Sequence, residues 1–142
     1  MTSLARTPLG TTALFMALII GPTLAQACEL PEGWQRMSAK APTGTTKAAI
    51  NVTRAPVALG QPFTVDIRIC ADAGETIERI GVDATMPAHR HGMNYRPEVT
   101  QTGENAYTAS GLLFHMRGEW QIAVSAYGAD STTLFTLDVP AE

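Results

Sequence analysis

No basic cluster interrupts this sequence: ten Lys and Arg are spread over 142 residues against thirteen Asp and Glu, for a net charge of −3. A chain of that balance offers no positive footprint for a nucleic-acid backbone or an anionic membrane surface. A Gly-x-Ser-x-Gly nucleophile elbow is also missing. With only three histidines and two cysteines, a catalytic centre would have to reuse one small group of side chains, so the sequence reads as a binding protein and not an enzyme. No helical period runs through the chain after residue 27, and no segment repeats. The longest apolar run, Ala13-Leu-Phe-Met-Ala-Leu-Ile-Ile20, falls well short of the about 20 residues needed to span a bilayer.

That short run sits instead inside a secretory leader. Arg6 supplies the positive start, residues 13–20 the apolar centre, and Ala25-Gln-Ala27 a small-x-small cleavage site. Residues 1–27 are therefore expected to be a signal peptide, removed on export to the periplasm or an equivalent compartment. What remains, Cys28 to Glu142, has the size of a single domain. Loss of Arg6 leaves nine basic residues against thirteen acidic ones, a net charge of −4. The mature chain is not expected to be embedded in a membrane.

Cys28 and Cys70 are the only cysteines. Export to an oxidising compartment favours a Cys28–Cys70 disulfide, clipping the new N-terminus to the end of a strand. Loop-closure entropy assigns such a link about 4 kcal/mol. A lipoprotein anchored at Cys28 is the alternative. Ala25 and Gln26 fit a lipidation site poorly, and lipidation would leave Cys70 a lone thiol.

Residues 28–45, with Pro31, Gly33, Pro42 and Gly44, show no period and read as an irregular lead-in. Over 46–142 the apolar residues recur every second position, as in half-buried strands. The clearest run is Phe63, Val65, Ile67 and Ile69 against Thr64, Asp66 and Arg68. Similar runs cover Ala48–Val52, Ile80–Met86, the neighbourhood of Val99, Asn105–Phe114, Trp120–Ala126 and Thr133–Val139. Parity slips at Ser110-Gly111, which predicts a bulge. About seven short strands separated by turn signals predict an all-β fold, an antiparallel sandwich of immunoglobulin-like type, with a small barrel as the other option.

The chemistry is concentrated. All three histidines (His89, His91, His115) and three methionines (Met86, Met93, Met116) fall between residues 86 and 116. In an extended segment His89 and His91 would point to one side, and Gly92 would let the chain turn Met93 back toward them. Imidazole with thioether is a donor set for copper, Cu(I) above all and Cu(II) if imidazoles dominate, because thioethers add little to zinc, calcium or magnesium sites. Zinc would want a carboxylate or thiolate partner, and Asp83, Glu98 and Glu119 are not suggestively spaced. Blander roles compete for some of these residues. Met86 continues the inward face of Ile80, Val82 and Ala84. Continued alternation from Leu112 through Phe114 would turn Met116 inward and His115 outward, which disfavours their sharing an ion from one regular strand.

The segments MPAHRHGMN, RPEV and NAYTASGLLFHMRGEWQIAVSAYG resemble the YtkA-like family of small exported bacterial domains. The matching positions are Met86, Pro87, His89, His91, Gly92, Met93, Pro97, Tyr107, Phe114, Met116, Gly118 and Trp120. The likeness covers roughly residues 45–140 and implies an immunoglobulin-like sandwich, with an association to copper or to respiratory-oxidase assembly. Asn105-Ala106-Tyr107 lacks the glycine usual before the tyrosine, and Arg117 stands where proline is common. Two functions are thus expected to compete. One is a copper-binding protein (chaperone, buffer or resistance accessory) using His89, His91 and Met93, supported by Met116, Met86 and His115. The other is a metal-free module docking onto a membrane efflux or oxidase assembly complex.

Overall fold

A computed structural model describes residues 28–40 and 44–142. The leader read over residues 1–27 lies outside them. Among the described residues there are ten strands and no helix, hence no helix long and apolar enough to cross a membrane. The strands are β1 (Gln35–Arg36), β2 (Ser38–Lys40), β3 (Lys47–Val52), β4 (Phe63–Cys70), β5 (Arg79–Met86), β6 (His91–Gly92), β7 (Glu98–Gly103), β8 (Ala106–Leu112), β9 (Gly118–Tyr127) and β10 (Thr132–Ala141). They form two five-stranded antiparallel sheets, ordered β1-β3-β4-β8-β7 and β2-β10-β9-β5-β6.

Period-two alternation explains why the sheets face each other. Val65, Ile67 and Ile69 from β4 meet Trp120, Ile122, Val124 and Ala126 from β9 in one buried cluster. The odd members of each run go inward and their polar neighbours stay out, so each sheet presents one apolar face to the other. The arrangement is a β-sandwich. Seven of its strands, β3, β4, β5 and β7 to β10, are the seven runs legible in the sequence.

Three short strands are additional. β6 belongs to a hairpin with β5. β1 and β2 lie within residues 28–45, the stretch expected to be irregular. β1 pairs with β3 in one sheet and β2 with β10 in the other. Between them Met37 is buried in the core, so the lead-in crosses from sheet to sheet on a single apolar residue. Trp34, just before, is half-buried.

The bulge is where parity slips. Phe63 faces Leu112 but Thr64 faces Ser110, leaving Gly111 as the extra residue with φ +80°. A glycine takes that left-handed conformation without steric cost. The Cys28–Cys70 disulfide is formed. It lies at the C-terminal end of β4, while Phe63, at the other end, pairs with the last residue of β8. The chain that leaves β8 there leads to His115.

Candidate functional site

Two chain segments meet at that end of the sandwich. The first is the β5–β6 hairpin. Pro87 follows the last residue of β5, and residues 87–90 turn instead of extending. The Met86 carbonyl accepts the His89 and Arg90 backbone N–H groups, both at 3.0 Å, and Arg90 adopts φ 55°. The chain then pairs back, His91 against Met86 and Gly92 against Thr85, and the Met93 N–H donates to the Ala84 carbonyl at 3.0 Å.

This differs from the expected extended His-x-His segment. His89 sits in the turn and is exposed, whereas His91 is in a strand and half-buried. The sharp turn comes before the histidine pair is complete, at Arg90, and Gly92 is an ordinary strand residue. The two rings nevertheless stay neighbours, with centres 6.0 Å apart.

The second segment is 113–117, between β8 and β9. Alternation carries Phe114 inward to full burial, and its carbonyl accepts the Gly60 N–H at 2.8 Å. There the regular pattern stops. The Met116 carbonyl accepts the Trp120 Nε1–H at 2.9 Å, which folds residues 116–120 into a tight connection. Gly118 completes it with φ +132°. The expectation that Met116 turns inward is therefore corrected: its side chain is 37 % exposed, and His115 is exposed as well. With no regular strand at 115–117, the parity argument that separated the two residues loses its premise.

Directly opposed residues on neighbouring strands share a face of the sheet. His91 opposes Met86, and Thr85 opposes Gln121, so the next step sets Met86 beside Trp120. Trp120 in turn opposes Val139. His91, Met86 and Trp120 thus form a row on the inward face. Met86 and Trp120 are fully buried, and Met86 reaches toward the start of β9. A Cβ at Gly118 would lie only 2.5 Å from its Cε, so the glycine leaves the thioether its space.

Around this row the three imidazoles gather. The His91 and His115 ring centres are 5.2 Å apart, tilted by 34°. Both rings stand at 72° to the Trp120 indole, at 5.6 Å for His91 and 5.4 Å for His115. Phe114 stacks on the same indole at 4.6 Å and 7°. His91 is the hub, since it neighbours both other histidines. Its Nδ1 lies 3.4 Å from the Gly92 carbonyl, and its Nε2 is buried with no hydrogen-bond partner.

Ring-centre spacing alone permits two imidazoles on one ion. Nitrogen–metal bonds are about 2.0 Å, so rings sharing an ion keep their centres within about 6 Å. His91 meets that limit with either neighbour. Among the described residues, however, no three His, Cys, Asp or Glu side chains converge as a group able to hold a metal ion. Further neighbours would have to be thioethers or an aromatic face. Met86 is buried in the row beside His91, and Met116 follows His115 on the exposed side. Met93 is drawn elsewhere: it packs on the core and lines a groove with Val82, Tyr95 and Val99.

Trp120 is the member that reading for ligands passes over. Its signal was present in the spacing, two residues beyond Gly118 and four beyond Met116, which is the spacing its hydrogen bond uses. The chain matches no protein-family model, no curated protein and no solved structure.

Proposed function

We propose that this is an exported copper-binding protein on an immunoglobulin-like sandwich, acting as a periplasmic chaperone, buffer or resistance accessory for Cu(I). His91 and His115 are the principal imidazole ligands, His89 can substitute for His115, and Met86 and Met116 are the candidate thioethers. The observation that carries this reading is the buried, unpartnered Nε2 of His91 between two other histidines. A buried polar atom without a partner costs about 1–3 kcal/mol, a cost that metal ligation by this nitrogen would relieve. Thioethers beside imidazoles favour Cu(I) over zinc, and the disulfide accords with an oxidising compartment where free thiols are poor carriers.

The test is a Cu(I) competition titration of residues 28–142, which carry both sheets and the disulfide, against a chromophoric chelator under reducing conditions that spare the disulfide. One tight equivalent that disappears in the His89→Ala/His91→Ala double variant supports the proposal. Chelator that keeps all its copper, or binding unchanged in the variant, contradicts it.

One observation favours the second reading, a docking module for a membrane efflux or oxidase assembly complex. Among the described residues the exposed large hydrophobics are Tyr95, three residues past β6, and Met116, next to His115. A partner retained equally with and without copper would favour that reading.

A further inference from the structure

The two imidazoles that approach each other most closely do so against an aromatic wall. His91, His115 and Trp120 form a nearly equilateral triangle of ring centres, with sides of 5.2, 5.4 and 5.6 Å. Both imidazole ring centres lie within 5.6 Å of the indole centre, so an ion held between these rings would come within the reach of an aromatic face, ~6 Å for a cation. The indole is held in place on two sides. Phe114 stacks against one face and the Met116 carbonyl takes its Nε1–H. Full burial keeps water from competing for what is left.

We propose that Trp120 closes the site as a cation–π neighbour and makes it selective for a low-coordinate monovalent ion, Cu(I) or its redox-inert analogue Ag(I). This rests on the copper reading above. Coordination number sets the selectivity. Among the described residues no third His, Cys, Asp or Glu completes the pair of imidazoles. Zn(II) is held almost always by four ligands, and Cu(II) prefers a tetragonal set of nitrogen and oxygen donors. An indole on the buried side supplies attraction without a lone pair, where a divalent ion would need a further nitrogen or oxygen donor. It stabilises a soft singly charged ion and leaves a divalent one short of ligands.

The experiment titrates Ag(I), and in parallel Cu(I) and Zn(II), into residues 28–142 carrying Trp34→Phe, so that Trp120 is the sole tryptophan. Near-ultraviolet absorption and fluorescence report on the indole, and competition gives the affinity. One equivalent of Ag(I) is expected to shift the Trp120 absorption band and quench its emission, and His91→Ala is expected to abolish both changes. Replacing Trp120 by Phe, and separately by Leu, should weaken Ag(I) and Cu(I) about 3- to 30-fold. Circular dichroism identifies any variant that fails to fold, and the spectra of the Trp120-containing protein need no substitution in the core. Stoichiometric binding that depends on His91 but leaves the indole spectrum unchanged overturns the role of Trp120 while sparing the copper reading. Zn(II) binding as tight as Ag(I) overturns the selectivity. Absence of binding by Ag(I) and Cu(I) overturns both readings together.

Discussion

His91 lies directly across the β5–β6 hairpin from Met86, and its Nε2 is buried without a hydrogen-bond partner. Replacing His91 by Phe keeps the ring and removes the orphaned nitrogen. The variant is expected to match or exceed the metal-free wild type in urea stability, by up to about 1 kcal/mol, while losing metal binding. A loss of more than about 1 kcal/mol would mean that the nitrogen is satisfied in solution.

Gly118 is constrained twice, by φ +132° and by the Met86 methyl 2.5 Å from where a Cβ would stand. Gly118→Ala should cost about 1–3 kcal/mol in chemical denaturation. In the Met86→Ala background the same change should cost less but not vanish, since the backbone conformation still disfavours a side chain. Equal costs in both backgrounds would show that the methionine contributes nothing to the constraint.

The Cys28–Cys70 link closes a sequence separation of 42 residues at the end of β4 remote from the histidines. Cys28→Ser/Cys70→Ser should lower stability by about 4 kcal/mol, read from thermal or urea unfolding. Copper affinity should stay within about twofold at temperatures where the variant remains folded. A large loss of affinity would tie the two ends of the sandwich together.

Tyr107 is buried and its hydroxyl lacks a partner. Burial raises its pKa above 10.0, because the phenolate is the form that suffers from desolvation. The unfolded chain therefore releases this proton first as pH rises. Its contribution is intact below about pH 10 and declines above it, as the unfolded state gains from ionising. Tyr107→Phe should flatten the alkaline limb of the stability profile and leave neutral-pH stability unchanged or slightly higher. An unchanged alkaline limb would assign that limb to other groups.

Much of the fold was legible because burial on one face of a sheet imposes a period of two. β4 and β9 show it without interruption, and Gly111 betrayed its bulge by breaking it. β1, β2 and β6 were not legible, since strands of two or three residues are too short to carry a period. At the site, the crowding of His and Met was visible but its geometry was not. The turn at 87–90 depends on two N–H groups sharing the Met86 carbonyl, and the exposure of Met116 follows from the Trp120 hydrogen bond to its backbone. Both are contacts of the folded chain that residue spacing alone does not reveal. Trp120 read as core, which it is, and its place beside two imidazoles emerged only from the packing of β5, β6 and β9.

The copper reading stands or falls with His91 Nε2 as a metal ligand. It is tested most directly by long-range 1H–15N NMR of the imidazole nitrogens of residues 28–142 during titration with Ag(I). The account predicts that at one equivalent the His91 Nε2 resonance moves strongly and that one nitrogen of His115 moves with it. A His91 Nε2 resonance that stays in place while silver binds elsewhere, or does not bind, would contradict the account.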